Sequence, residues 1–235
     1  MKKFTSGILL IAALMLGNNV QAQTLDEILN NHITAMGGKE KLLALTTVKM
    51  DGNLNVQGTD VSVITTRKHM VGSRVDISVM GTENYQLITP DKGWVFMPIQ
   101  GQSAPEEMAA DQFKVGQNTL DLQGPFLNYK EKGHSIELAG TEKIEGNDCF
   151  KLKVTYKNGN QTDFYFNSKT WFIVKTSTKI TVNGESIDAA TSFSNYKQNA
   201  DGYWFPYSTT SARGDLNFDK IETNIKVEDS IFKAN

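Results

Sequence analysis

The sequence predicts a mainly β protein of the α+β class, an antiparallel sheet of about eleven strands with short helices over its apolar face. Three observations support this fold. Apolar residues recur at helical spacing near the start of the chain and at a spacing of two afterwards. Turns containing glycine separate the alternating runs, and one stretch, between Pro98 and Gly133, interrupts the alternation.

The first element after residue 22 is predicted to be a helix. Thr24 precedes Glu27 by three residues, the capping-box spacing in which each side chain accepts a hydrogen bond from the other residue's backbone N–H. Gly37-Gly38 supplies the positive φ that ends a helix, and residues 39–45 suggest a second short helical turn. The apolar stripe of the first helix is Leu25, Ile28, Leu29, Ile33 and Met36.

The remainder alternates apolar and polar residues, as strands with one buried and one wet face do. Clear examples are residues 61–65, 75–79 and 150–156. Tight turns separate such runs, so neighbouring strands are expected to be antiparallel. Among these turns are Asn158-Gly159, Asn183-Gly184 and Asp201-Gly202.

The last predicted strand, residues 215–227, changes parity. Leu216 and Phe218 share one face, whereas the set that starts at Ile221 has the other parity. A β-bulge near Asp219-Lys220 would bring both sets to the same face.

The stretch between Pro98 and Gly133 is predicted to contain short helices. Pro105 with the acidic residues after it suits a first helical turn, and Pro125 with the aromatic residues after it suggests another. Such helices need an apolar surface to cover, and the sheet offers one. Because helices that cover a cavity must open to admit a ligand, residues 100–124 are expected to be the least ordered part of the mature chain.

The first 22 residues resemble an export signal. Lys2 and Lys3 form a basic start, Gly7 to Gly17 is an uncharged apolar run, and Val20-Gln21-Ala22 carries the small residues of a cleavage site. The alternative, a membrane anchor, needs roughly 20 apolar residues. We expect cleavage after Ala22 and export to the periplasm without a lipid anchor, because Gln23 and not a cysteine would then come first.

The composition argues against several partners. Without residues 1–22, 22 basic residues stand against 26 acidic ones, a net charge of −4. Nucleic acid and anionic membranes both favour a basic face instead. A single cysteine forms no internal disulfide, so residues 23–235 are expected to form one domain around a hydrophobic core.

The sequence offers no catalytic centre, so we expect no enzymatic activity, no metal site and no cofactor. His32, His69 and His134 have no metal-ligand spacing. Ser194 begins a Ser-x-x-Lys pattern, but in a strand residues three apart point to opposite faces. A hydrolase would need a nucleophile, a base and an orienting group together. Cys149 is either a small residue at a strand start or a partly exposed thiol whose pKa is lowered by nearby lysines.

Soft apolar residues concentrate near the interruption. Residues 94–99 form a continuous apolar run, which suggests burial on both faces. Methionines adapt to irregular apolar partners. Plain core packing is the simpler explanation, but a sheet with helices over one face can also leave an apolar cavity for a ligand. The methionines in question are Met50, Met70, Met80, Met97 and Met108.

Several stretches, in order along the mature chain, carry a family resemblance. They are 33–43 (ITAMGGKEKLL), 124–133 (GPFLNYKEKG), 162–175 (TDFYFNSKTWFIVK), 193–197 with 201–207, and 229–233. Together they resemble the LolA-like family of periplasmic outer-membrane lipoprotein-sorting and carrier proteins. The resemblance implies an unclosed β-barrel of about eleven antiparallel strands, with helices as a lid over an apolar cavity. It also implies an arginine that holds the lid shut, and no motif selects among Arg67, Arg74 and Arg213.

The resemblance implies a periplasmic carrier or receptor whose ligand is a lipidated protein or a free lipid. Inner- and outer-membrane envelope proteins are further expected partners, nucleic acid is not, and the protein is expected to be a monomer. The alternative is an envelope protein-binding regulatory or sensor module of the same fold. That module would have a solid core and an exposed apolar patch.

The residues expected to line the cavity follow from the predicted faces. Helices that cover a sheet present their apolar stripe to it, and charges should be rare there because a lone buried charge is costly. Replacing Phe126 with Asp should then abolish probe binding while the sheet stays folded. The predicted lining is Ile33, Met36, Met108, Phe113, Phe126 and Leu127 from the helices, and Val63, Val75, Ile77, Val79, Phe96 and Leu152 from the strands.

Overall fold

A computed structural model describes residues 23–56, 58–182 and 185–234. The predicted signal peptide, residues 1–22, and the predicted Asn183-Gly184 turn lie outside the described residues. Within the ranges that are described, no helix has the length and apolar character needed to span a membrane.

The predicted N-terminal helix is confirmed together with its capping box. The Thr24 hydroxyl accepts a hydrogen bond from the Glu27 N–H at 3.3 Å, and the Glu27 carboxylate accepts one from the Thr24 N–H at 2.9 Å. Gly37 and Gly38, with φ of +111° and +93°, follow the helix end as predicted. The helices are α1 (Leu25–Ala35), α2 (Lys39–Leu43) and α3 (Ala110–Gln117), with 3₁₀ turns at Pro98–Gln100, Asn118–Leu120 and Asp229–Phe232.

The predicted sheet is also confirmed, with thirteen strands in the described part of the chain and not about eleven. Several of the strands alternate exposed with buried positions, as the sequence pattern indicates. In chain order they are β1 (Thr47–Val56), β2 (Thr59–Lys68), β3 (Gly72–Val79), β4 (Thr82–Ile88), β5 (Gly93–Phe96), β6 (Glu106–Glu107), β7 (Ser135–Ile144), β8 (Asn147–Thr155), β9 (Gln161–Asn167), β10 (Ile173–Val182), β11 (Glu185–Gln198), β12 (Trp204–Ser211) and β13 (Gly214–Thr223).

All strand neighbours are antiparallel, and the sheet is unclosed. Strands β1 to β6 run outward to one edge, while β7 to β13 start at the other edge and return to the middle, where β13 pairs with β1. The edge strands β6 and β7 therefore lie at opposite ends of the strand order. The predicted bulge is confirmed, because Asp51 pairs with Lys220 and Gly52 with Phe218, which leaves Asp219 between them.

The interruption between Pro98 and Gly133 differs from the prediction in two places. Glu106 and Glu107 do not begin a helix; they form β6, which pairs with Val95 and Trp94 at the open edge of the sheet. The exposed N–H and C=O groups of an edge strand offer a partner that local helix signals do not take into account. Residues 125–133 form turns instead of a helix, and Asn128 has a positive φ of 52°, which a helix does not allow.

Across the residues that the structure describes, the hydrophobic core is divided into three clusters. The largest joins α1 to strands β7 to β9 and contains the fully buried Ile28, Leu152 and Phe166. A second surrounds Val48 and Ile221 on the central strands β1 and β13. The third packs Tyr85 and Leu87 of β4 against Phe232 of the C-terminal 3₁₀ turn. α1 is thus a part of the core, whereas α3 has no buried residue.

Candidate ligand-binding site

A cavity of about 350 Å³ lies between α3 and the inner face of strands β2 to β5, and we call it the α3 cavity. Its volume falls within the range of small-molecule sites, about 300–1,000 Å³. The strands and the segment 108–116, which includes most of α3, both contribute apolar side chains. These apolar residues are Val75, Ile88, Val95, Met108, Val115 and Ile180.

Two glycines let α3 approach the sheet closely. A Cβ atom added at Gly116 would lie 2.6 Å from Ile88 Cδ1, and one added at Gly93 would lie 2.8 Å from the Met108 sulfur. Side chains at either position would push α3 and the segment before it away from β4 and β5. The two glycines therefore allow α3 and the segment before it to lie close to β4 and β5.

Polar contacts rather than core burial hold α3 in place. The Gln117 amide donates to the Pro90 carbonyl at 3.0 Å, and the Asn158 amide donates to the Lys114 carbonyl at 2.9 Å. The Met108 N–H donates to the Gly93 carbonyl at 2.9 Å. No side chain caps the N-terminus of α3. An element with few buried contacts opens at low free-energy cost, which suits a lid.

Arg67 brings a positive charge into the wall of the α3 cavity. It lies near the end of β2, directly opposite Ser73 of β3, and both residues line the cavity. Its Nε atom is buried and makes no hydrogen bond. Burial lowers the pKa of the Arg67 guanidinium, although a guanidinium remains protonated in proteins.

The other two arginines lie elsewhere. Arg74 is on the outer face of β3, where its guanidinium contacts Asp76 at 2.7 Å and the Ile231 carbonyl at 3.2 Å. Arg213 lies in the exposed turn between β12 and β13, and its side chain reaches the α3 cavity. Among the described residues, Arg67 forms no hydrogen bond to α3, so the lid-holding contact implied by the resemblance is not formed here.

A smaller pocket of about 170 Å³, the α1 pocket, lies between α1 and the turns at 122–127. His32 lies at its base, with its Nδ1 atom 2.8 Å from the Trp171 carbonyl oxygen. Burial lowers the pKa of His32 to about 4, so the ring is neutral at pH 7 and donates Nδ1–H to that carbonyl. The lining contains no charged side chain.

The predicted helix residues separate into two groups. Met108 lines the α3 cavity, and Phe113 packs next to Gly93 beside it. The other four line the α1 pocket: Ile33, Met36, Phe126 and Leu127. Phe126 is only 6% exposed, and its ring packs edge-on against Phe164 at 5.0 Å. The structure therefore gives Phe126 a core position and not one on a movable lid, and an Asp there would lie among aromatic rings.

The predicted strand residues separate further. Val75 lines the α3 cavity, and by register Val63, Ile77 and Val79 share its face of the sheet. Leu152 is fully buried in the core under α1. Phe96 is corrected: it pairs with Tyr85 on the opposite face and packs in the cluster around Phe232. A run of apolar residues with both faces buried gives no parity signal, so the sequence could not assign Phe96 to a face.

A further cleft of about 670 Å³ was not predicted. Two of its charged groups form an ion pair, in which the Lys132 ammonium lies 2.6 Å from Asp121 Oδ2. His69 Nδ1 accepts the Leu122 N–H at 3.2 Å and lies 3.7 Å from Asp121. Burial lowers the pKa of His69, so the neutral ring and its hydrogen bond, and not an ion pair, describe this contact. The basic residues of 130–134 are the sequence signal for this polar cleft.

Cys149 is buried, with 1% exposure, and burial raises the pKa of its thiol. Of the two interpretations, the structure favours the small structural residue over the exposed, activated thiol. The described ranges contain no group of three or more His, Cys, Asp or Glu residues placed to hold a metal ion.

Comparison with known proteins identifies the fold. No protein-family model matches the sequence, and no curated protein matches it significantly. A LolA superfamily protein from Nitrosomonas europaea is 16% identical with a TM-score of 0.55, covering 90% of this chain and 98% of its own. A DUF1329 family protein from Desulfovibrio piger is 14% identical with a TM-score of 0.57, covering 88% and 96%. A domain named as an outer membrane lipoprotein-sorting protein, from Vibrio parahaemolyticus, is 16% identical with a TM-score of 0.51, covering 88% and 94%. The chain therefore has the LolA-like fold that its sequence resembles.

Proposed function

We propose that the protein is an exported carrier or receptor that binds an acyl-chain ligand in the α3 cavity. The observation that carries this proposal is the apolar cavity itself, covered by a helix with no buried residue. Burial of an acyl chain there would be favourable by about 25 cal/mol for each Å² of apolar surface removed from water.

The division between core and lid supports reversible binding. α1 belongs to the largest core cluster, so the sheet and α1 form a rigid frame. α3 is held mainly by polar contacts and can open without disrupting that frame. A carrier must release its ligand as well as bind it, and a lid of low local stability permits both.

The finer proposal concerns the source of the acyl chain and the compartment. The signal-like N-terminus suggests export to the periplasm, and one structural neighbour is named for outer membrane lipoprotein sorting. Lipidated proteins and free lipids of the envelope are therefore the ligands to test first.

Binding of an uncharged probe, N-phenyl-1-naphthylamine, tests the proposal. Val115 lines the cavity, so Val115→Trp should fill it and weaken probe binding at least about tenfold, which corresponds to about 1.4 kcal/mol. The matched control is Val56→Trp at an exposed position of β1, which should bind like wild type. Native mass spectrometry of protein from envelope extracts should show co-purifying acyl material. Equal probe affinity in both variants would place the probe outside the α3 cavity and refute the proposal.

A further inference from the structure

The guanidinium of Arg67 is a charge without a partner in the wall of the α3 cavity. Its Nε atom is buried without a hydrogen bond, and no Asp or Glu oxygen in the described ranges lies within 4.0 Å of its nitrogen atoms. Arg74 on the next strand provides the contrast, because Asp76 and the Ile231 carbonyl both accept hydrogen bonds from it. Arg74 thus has hydrogen-bond acceptors for its guanidinium, whereas Arg67 has none among the described residues.

An unpaired charge that is partly buried is costly to keep. A guanidinium cannot escape this cost by losing its proton, and a partly buried lone charge loses part of its hydration without a compensating contact. An anion bound beside Arg67 would supply that contact. In a cavity of low dielectric constant the attraction is stronger than in water, and the planar fork of arginine matches the two oxygens of a carboxylate or phosphate.

The surroundings of Arg67 define the rest of the ligand. The other charged residues of the lining, Asp111 and Arg213, are exposed and therefore lie towards solvent. Between them and Arg67 the lining is largely apolar, with Val75, Ile88 and other aliphatic side chains. A half-buried, unpaired cation in an apolar wall complements an amphiphile with an anionic head and an apolar tail.

The volume limits the number of chains. At roughly 30 Å³ for each water-sized group, a cavity of about 350 Å³ holds about a dozen such groups. This is enough for one medium-length acyl chain with its head, and far too little for several chains together.

We propose that Arg67 is the anion anchor of the α3 cavity and that the ligand is a single-chain amphiphile with a carboxylate or phosphate head. The inference rests on the proposed function and narrows it, since the acyl ligand is selected by charge as well as by its apolar chain. An uncharged amphiphile of the same length should bind more weakly.

Three probes with the same chain test this selection in delipidated wild-type protein at pH 7.5: dodecanoate, dodecyl phosphate and dodecanol. Charge-assisted hydrogen bonds contribute about 1.5–3 kcal/mol, so at least one anionic probe should bind about 10- to 100-fold more tightly than dodecanol. The tighter of the two anions identifies the head as a carboxylate or a phosphate. Isothermal titration calorimetry below micelle-forming concentrations measures all three affinities.

Variants assign the selection to Arg67. Arg67→Gln should reduce the anion affinity to that of dodecanol and leave dodecanol binding unchanged, and Arg67→Lys should give an intermediate value because it keeps the charge without the planar fork. The control Arg74→Gln should bind all three probes like wild type. Asp111→Asn should strengthen anion binding a few-fold, because it removes a negative charge from the mouth of the cavity.

Ligand-free melting temperature separates an anchor from a structural residue. Arg67→Gln should melt at or above wild type because it removes an unpaired, partly buried charge, whereas Arg74→Gln should melt below it. The inference is overturned, and the proposed function kept, if dodecanol binds wild type as tightly as both anions or if Arg67→Gln binds dodecanoate like wild type. If wild type binds neither N-phenyl-1-naphthylamine nor any of the three probes, both proposals fail.

Discussion

His32 shows how one buried residue links α1 to the sheet. Its ring packs edge-on against Phe166 at 4.9 Å and Phe126 at 5.3 Å, and it donates a hydrogen bond to the Trp171 carbonyl. Burial is the main reason that the pKa of His32 falls from 6.5 to about 4, and the carbonyl contact offsets only part of this effect. Between about pH 4 and 6.5, His32 is therefore mostly protonated in the unfolded chain and mostly neutral in the folded chain.

This difference predicts a loss of stability in mild acid. Below pH 6.5 the unfolded state binds a proton at His32 and the folded state does not until about pH 4, so the free energy of unfolding falls as the pH drops through this window. The loss reaches about 3 kcal/mol by pH 4. Urea unfolding at pH 7.5 and 4.5 should show a smaller decrease for His32→Gln than for wild type. His134→Gln, at a partly exposed ring, should keep most of the wild-type decrease; an unchanged decrease in His32→Gln would contradict the assignment.

The two longer helices have different roles. α1 is fixed by Ile28 and Leu29, which are buried in the core, whereas α3 rests on the sheet through the close approach of Gly116 to Ile88. Of these two helices, α1 therefore belongs to the core, and α3 lies on the sheet without a buried residue. We expect the amides of α3 to exchange with solvent faster than those of β9, whose residues 164–167 are buried.

Gly116→Leu should weaken the lid without unfolding the sheet. Its side chain would collide with Ile88, and overpacking of this kind costs about 1–3 kcal/mol, enough for about fivefold or greater acceleration of hydrogen exchange in α3. Ala110→Leu on the exposed side of the same helix is the control and should exchange like wild type. Hydrogen–deuterium exchange resolved by segment measures both variants. Equal acceleration in α3 and β9 would show that α3 is part of the cooperative core.

At the scale of the whole molecule, the sequence predicts the fold correctly wherever the alternation of apolar and polar side chains alone decides the structure. The period of two sets the faces of β2 and β3, and glycine-containing turns impose antiparallel neighbours, so the unclosed sheet follows from local chemistry. Glu106 and Glu107 were misassigned because their strand forms only through pairing with the edge of β5, which the local helix signals around Pro105 do not reveal. The core packing of Phe126 was not visible in the sequence, because it depends on α1 and β9, which lie far away in the chain.

The sequence also contains a signal for one residue of the candidate site, Arg67. Arg67 continues the inward parity of Val61, Val63 and Thr65 in β2, so a charge on the apolar face of a strand was visible in the sequence. Its lack of a partner was not visible, because that depends on which carboxylates the fold brings within reach.

The most direct test of acyl binding in the α3 cavity is methyl NMR of protein labelled with ¹³C at the methionine methyl groups. Met108 lines the α3 cavity, Met36 lines the α1 pocket, and Met80 is 84% exposed in the turn between β3 and β4. Titration with dodecanoate should shift the Met108 methyl signal strongly and leave the Met80 signal unchanged. A strong shift at Met36 with none at Met108, or no shift at either, would contradict acyl binding beneath α3.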